Sequence, residues 1–389
     1  MKTIGIIIER NRTYGRRLCQ GIAAYFREKE DWQLKLIEPA FLGHPKSLSC
    51  FDGFIARVNN DRLGELLTAT RKPVVDVFYE KPRPGMSAAD QNAQLIGQMA
   101  ASHFIEHYFT SFAFCGLNGV AFSDQRRDAF INSLNTSHFN CSVYHTPAKA
   151  VRDYRMKSAE HDMIYTLSDR AQIGKWLDSL KKPIAIFCSN DARAYQVIEI
   201  CREKGIPVPD KVAVLGVDDE LVCDFIYPTL SSIDPNGFEI GRSSAILLEK
   251  MIYEPGVVPP PIFVGPRGLI TRGSTRVYPL DPPWISTAMI FIKANLSKHL
   301  TASDVYQHLG KSHTQVDLAF RKILSTTVQK EIIRMRAEEA YRLVTTTDLP
   351  LSRIATMTGF ASAQYFCSTF TKAYGKSPTK FRTSDGNHP

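Results

Sequence analysis

Polar residues gather at three places where an apolar run ends. Arg12, Tyr14, Gly15 and Arg16 follow TIGIII, Asn190, Asp191 and Arg193 follow PIAIFC, and Asp218, Asp219 and Glu220 follow VAVLGV. Any one group is accounted for by an Asn or Asp that caps the next helix. Together, at strand ends where ligands of open parallel sheets bind, they point to a polyol site. Hydrolysis fits them less well, because a carboxylate pair that cleaves a glycosidic bond flanks it from two sides, whereas Asp218, Asp219 and Glu220 are consecutive. The sequence has no P-loop and no G-x-S-x-G. Its eight cysteines, at 19, 50, 115, 141, 188, 201, 223 and 367, form no Cys-x-x-Cys pair or Cys/His cluster. No catalytic residue, metal or cofactor is expected, and the thiols read as reduced in a cytoplasmic protein.

The elements that must position these residues alternate. Strands are predicted over 3–8, 33–38, 52–56, 73–79, 111–115, 141–145, 183–188 and 212–217, with helices over 15–29, 91–107, 124–134, 168–180 and 191–204. Near-continuous apolar strands separated by helices are the pattern of parallel sheets covered on both faces. The first 275 residues hold two such sheets of about five strands each, an α/β two-lobed domain whose strand ends face each other across a cleft. A stretch at 273–283, GSTRVYPLDPP, has three prolines and no apolar periodicity, so residues 276–283 are read as a linker. Everything after Trp284 is helical in pattern, which makes 284–389 a separate all-α domain.

Charge divides the same way. The chain carries +9 overall, and residues 284–389 hold 14 Lys/Arg against 7 Asp/Glu, which leaves 34 against 32 for the first 283. A small domain with this surplus has nucleic acid as its default partner. No run of about 18 apolar residues occurs, so neither a membrane span nor a membrane partner is expected.

Within the tail one design occurs twice, in units over about 301–324 and 350–373. A short helix, Ala302 to Leu309 or Leu351 to Met357, is followed by a Gly-containing turn and a second helix, from His313 or Ser362. Such helix-turn-helix units place the second helix in the major groove. The stretch from Met335 to Arg382 resembles the signature of AraC-family regulators through Arg336, Ala340, Leu343, Ile354, Ala355, Gly359, Phe360, Phe366, Phe370, Gly375, Ser377, Pro378 and Arg382. Ile354, Phe366 and Phe370 form the apolar stripe. The DNA-reading face is then His313, Thr314, Gln315 and Asp317 in the first unit, and Ala361, Ser362, Ala363 and Gln364 in the second. Gln bonds adenine edges, while Ser and Thr serve base or phosphate. His313 and Asp317 are also spaced to form an ordinary i,i+4 surface pair. Lys311, Arg321, Lys372, Lys376 and Arg382 are candidates for phosphate contacts.

The first part resembles the effector-binding core of LacI-family repressors, itself similar to periplasmic sugar-binding proteins. The run from Cys188 to Ile233 carries ND…A, GVDD and PTLSSI, and SDQRRDAF at 123–130 matches a further element. That family's N-terminal DNA-binding helices are not seen before the first strand, and the AraC-type unit supplies their function. This order of domains is similar to that of the xylose operon regulators. The resemblance implies a sugar effector, D-xylose or a related one, held by Asp191, Arg193 and Asp218 with Arg126, Tyr14 and Asn190. Carboxylates accept from vicinal hydroxyls, Arg donates to them, and an aromatic ring covers an apolar sugar face. It also implies double-stranded operator DNA, RNA polymerase as partner of an activator, and a homodimer, whose contact is expected on helices near 15–29 and 60–70.

Overall fold

A computed structural model describes residues 1–38, 48–157 and 168–384, the side chains of 154–157, 346 and 382–384 excepted. The chain divides into two compact units, Met1–Arg276 and Val277–Pro389.

The first unit alternates strands and helices: β1 (Lys2–Ile7), α1 (Thr13–Phe26), β2 (Trp32–Leu36), β3 (Gly53–Ala56), α2 (Asp61–Ala69), β4 (Val74–Asp76), β5 (Met86–Gln91), α3 (Ala93–Glu106), β6 (Phe112–Cys115), α4 (Ala121–Thr136) and β7 (Cys141–Val143). It continues with α5 (Ala148–Lys157), α6 (Arg170–Ser179), β8 (Ile184–Cys188), α7 (Asp191–Glu203), β9 (Val212–Val217), α8 (Val222–Phe225), β10 (Ser231–Asp234), α9 (Gly237–Tyr253), β11 (Ile262–Val264) and β12 (Gly268–Ile270). The central strands are buried at every position because helices cover both faces, which is why GFIA, IAIFC and VAVLGV read as unbroken apolar runs.

These strands form two sheets, in the orders β11-β5-β4-β3-β1-β2 and β12-β10-β9-β8-β6-β7. All pairings are parallel except β10 with β12. Each sheet has six strands, against the five or so expected. The residues MSAADQ of β5 carry small and polar side chains, and β11 and β12 are only three residues long. β5 shows no β-branched run, and IFV and GLI are too short to signal a strand. The chain passes between the lobes after Gln91, after Asp234, and between Val264 and Gly268. These crossings bond to one another, Asn92 N to Val264 O at 2.7 Å and Arg267 N to Asp234 O at 2.9 Å.

One lobe packs Ile4, Ile6, Leu18, Ile22, Val75 and Leu248 together, and the other Ile184, Ile186, Val197, Val212 and Val214. Each such side chain contributes about 1.5–3 kcal/mol by leaving water. The proline-containing stretch that opens at residue 273 begins inside this unit, three residues before the expected linker at 276–283. Gly273–Thr275 is a 3-10 turn in which Ser274 Oγ donates to Val214 O at 2.6 Å and accepts from Ser231 N at 2.9 Å. Its small hydroxyl residues fill a buried polar position, which a composition-based reading takes for solvent-exposed chain.

The second unit is helical throughout its described residues: α10 (Pro283–Ala294), α11 (Ala302–Leu309), α12 (His313–Leu324), α13 (Val328–Thr346), α14 (Leu351–Met357), α15 (Ala363–Tyr374) and α16 (Pro378–Ser384). Pro283 opens α10 at the one place where its missing N–H costs nothing. Thr301, Ser312, Thr327 and Ser362 cap the helices that follow them. Ala340, Leu343, Ile354, Ala355, Phe360, Phe366 and Phe370 make one core. Gly359 turns the chain at φ +76°, where a Cβ would stand 1.9 Å from Leu296 O, so no other residue fits. Arg336 donates to Leu296 O at 3.2 Å and Lys298 O at 2.8 Å, satisfying carbonyls beyond the end of α10.

Candidate functional site

Four of the six residues expected to hold a sugar converge. Tyr14 stands at the start of α1, Arg126 on α4, Asn190 before α7 and Asp218 after β9, and all line one cavity between the lobes. Glu9, Arg12, Gly15, Arg57, Phe78, Asp90, Gln91 and Phe122 complete its wall. Its free volume is about 50 Å³, room for one or two waters at roughly 30 Å³ each. The space is narrow because the polar groups hold one another. Arg126 donates to Gln91 Oε1, to Ser189 O and, at 3.3 Å, to Asp218 Oδ1. Phe78 and Phe122 stand 6.4 Å apart by ring centroids, with Arg57 4.1 Å over the first and Arg126 5.2 Å over the second.

Several donors here lack partners. Tyr14 Oη, Arg12 Nη2 and Arg126 Nε are buried and have no hydrogen-bond partner among the described residues. Such groups cost roughly 1–3 kcal/mol each unless something pairs with them, so their gathering marks a place built for a polar ligand. A wider groove of about 580 Å³ opens at the amino ends of β1, β4 and β5, between Lys2, Arg71, Met86, Met251 and Val258. Among the described residues no buried polar atom without a partner lines it, so the smaller cavity is the candidate.

Burial governs its charges. It pushes the Asp90 carboxyl up to about 6, against hydrogen bonds from Gln91 N at 2.7 Å and Tyr79 N at 2.9 Å and the nearby Arg126 and Arg57. It likewise pushes Asp218 up to about 6, opposed chiefly by Arg126. Burial, together with these two carboxylates, raises Tyr14 well above the ordinary phenol range, so its hydroxyl stays a neutral donor and acceptor. Asn190 Oδ1 accepts from Arg193 N at 3.0 Å as the helix cap, so its amide nitrogen is the end of this side chain that can donate.

Asp191 and Arg193 do not face the cavity. Asn190 takes the cap, and the next turn directs both side chains back into their own lobe. Asp191 accepts from Ser232 Oγ at 2.7 Å and Glu220 N at 2.8 Å, and it lies so close to β9 that a Cβ on Gly216 would stand 2.0 Å from it. Arg193 pairs with Asp169 at 2.9 Å, with both side chains buried. Asp191 instead holds the turn in which Glu220 accepts from Thr13 N, at 3.0 and 2.9 Å, across the cleft at the start of α1. Glu9, Arg57, Asp90 and Gln91 were missed. Asp90 and Gln91 end a strand without an apolar run, and Glu9 and Arg57 pair at 2.8 Å across neighbouring strand ends.

In the second unit, His313, Thr314, Gln315, Ala361, Ser362, Ala363 and Gln364 are all exposed around the starts of α12 and α15. Asp317 departs from them. Its carboxylate accepts from Tyr306 Oη at 3.1 Å and Val328 N at 3.4 Å and lies 3.2 Å from His313 Nε2, so it ties α12 to its neighbours. Leu318 and Tyr365 are exposed on the same faces, at 60% and 44%, and were not anticipated. Arg321, Lys372 and Lys376 are exposed and, among the described residues, have no carboxylate within 4 Å, whereas Lys311 lies 5.2 Å over the Trp284 ring. The side chain of Arg382 lies outside the described residues. No helix of the described residues is long and apolar enough to cross a membrane.

Comparison with known proteins agrees with both parts. Residues 101–275 match the periplasmic binding protein-like domain and residues 305–384 a helix-turn-helix domain. The xylose operon regulatory protein of Haemophilus influenzae is 27% identical over 97% of each chain. The HTH-type transcriptional activator AarP of Providencia stuartii is 35% identical over 26% of this chain and 75% of its own. A solved structure of the xylose-binding transcription activator xylR is 25% identical, covers 98% of each chain and has a TM-score of 0.61.

Proposed function

Given that the chain belongs to the sugar-responsive, DNA-binding transcription regulators that join a periplasmic-binding-protein-like domain to an AraC-type helix-turn-helix domain, we propose that it activates genes of carbohydrate catabolism in response to D-xylose or a closely related pentose. The observation that carries this reading is the set of unpartnered donors, Tyr14 Oη, Arg12 Nη2 and Arg126 Nε, beside the carboxylates of Asp90 and Asp218. Vicinal hydroxyls donate to such carboxylates and accept from such donors, and Phe78 and Phe122 offer apolar faces to the C–H side of a sugar ring.

The sugar enters between the lobes, displaces the contacts that Arg126 makes with Asp218 and Gln91, and becomes their common partner. Tyr14, Arg126, Asn190 and Asp218 then touch it, while Asp191 and Arg193 shape the turn and helix behind them. The tail binds operator DNA through the starts of α12 and α15, with Arg321, Lys372 and Lys376 on phosphates. A homodimer in the cytoplasm, acting on RNA polymerase, completes the proposal.

A thermal-shift panel of pentoses and hexoses tests the effector. A ligand at about 100 times its dissociation constant adds roughly 2.7 kcal/mol of stability, so D-xylose raises Tm and distant hexoses do not. A panel in which no sugar raises Tm would overturn the assignment.

A further inference from the structure

We propose that Leu318 reads the methyl group of thymine, so that the first reading helix selects A·T base pairs. This rests on the reading that the tail binds DNA. In α12, Val316 and Phe320 are fully buried while Leu318, on the opposite side of the helix, is 60% exposed. It sits amid polar exposed residues, with Thr314 and Gln315 one turn before it and Arg321 and Lys322 one turn after. A single exposed leucine on an ordinary surface needs no explanation. Here it occupies the middle of the one face that a helix presents to base edges when its core side is packed. The apolar feature available to it in the major groove is the C5-methyl of thymine.

The neighbouring chemistry points the same way. Gln315, three residues before Leu318, is the side-chain type that bonds adenine bidentately. The guanine readers, Arg and Lys, do not occur from His313 to Ala319. The one carboxylate there that suits cytosine N4, Asp317, is engaged by Tyr306 Oη and Val328 N. Of the exposed side chains on these turns, Gln315 and Leu318 suit adenine and thymine, while Thr314 serves either base or a phosphate.

The test uses the full-length chain. Preferred duplexes are selected from a random-sequence pool, and each thymine of the selected site is replaced in turn by uracil, which removes only the methyl. For wild type, uracil at one or two positions weakens binding roughly fourfold, the effect of taking one methyl-sized group out of contact. Leu318→Ala binds the thymine site more weakly by a similar factor and is indifferent to uracil at those positions. Because Leu318 is exposed, the variant keeps its Tm. The proposal is overturned if wild type and Leu318→Ala respond alike to every uracil, or if wild type responds to none. A pool that yields no preferred sequence overturns the DNA-reading assignment as well.

Discussion

Asp219 carries an arginine on each carboxylate oxygen, Arg272 at 2.9 Å and Arg17 at 3.0 Å. Arg17 belongs to α1 in one lobe, and Arg272 lies four residues before the end of the first unit. Asp218, which lines the cavity, and Asp219 both have φ in the left-handed region, +111° and +49°, a conformation that costs about 1–3 kcal/mol per residue and persists only where surroundings impose it. A ligand that moves Asp218 therefore disturbs the grip of Asp219 on the segment leading out of the sensor.

Asp219→Asn is expected to bind sugar and to bind DNA, but to lose the dependence of one on the other. Coupling of this kind is typically about 1–3 kcal/mol, a severalfold or larger change in DNA affinity. Fluorescence anisotropy of labelled operator with and without sugar measures it. A variant that keeps the full sugar response shows that the signal leaves the sensor elsewhere.

Tyr14→Phe removes a buried hydroxyl that has no partner among the described residues. Ligand-free stability should hold or rise slightly, while sugar affinity drops by about two- to tenfold, the net worth of a typical hydrogen bond. Calorimetric titration and Tm report the two effects separately. A loss of ligand-free stability would mean that the hydroxyl is structural.

The carboxyls of Asp90 and Asp218, raised to about 6 by burial, are expected to make sugar binding pH-dependent. Each accepts from a hydroxyl when ionised, so affinity should fall between pH 7.5 and pH 5, roughly tenfold per carboxylate that must lose its proton. The sign for ligand-free stability is opposite. A group with a raised pKa takes up its proton more readily folded than unfolded, so its contribution is present below about pH 4 and is lost as pH rises through about 6. Asp218→Asn should flatten this slope and raise ligand-free Tm at pH 7.5 more than at pH 5.

Gln364 and Asp317 should separate by phenotype. Gln364→Ala leaves Tm unchanged and costs about 1–3 kcal/mol on the specific site with little effect on random DNA. Asp317→Ala strands Tyr306 Oη and Val328 N, so it lowers Tm of the tail and weakens all DNA binding together.

A fragment of Val277–Pro389 contains its own apolar core, and is expected to bind operator with steep salt dependence because phosphate neutralisation dominates its affinity. It should ignore sugar. A response to sugar by this fragment would place the sensor in the wrong unit.

The sequence by itself determined the types of the strongly patterned elements, because burial on both faces or on one stripe leaves a periodicity that residues such as IAIFC and the Ile354, Phe366, Phe370 stripe display directly, whereas β5, β11 and β12 leave none. It also determined the helix-turn-helix pair, whose glycines and caps act within a few residues of one another. What only the tertiary structure decided is which polar side chains meet. Asn190, Asp191 and Arg193 are near neighbours in sequence, yet the helix turn sends the first to the cavity and the others into the lobe, where Asp191 meets Ser232 and Arg193 meets Asp169. Asp90 and Gln91 end a strand with no apolar signal, and they reach Tyr14 and Asp218 only because the strands of two sheets end at one cleft. Asp317 is a reader by spacing and a brace by contact, since Tyr306 and Val328 approach it from neighbouring segments that local pattern does not place.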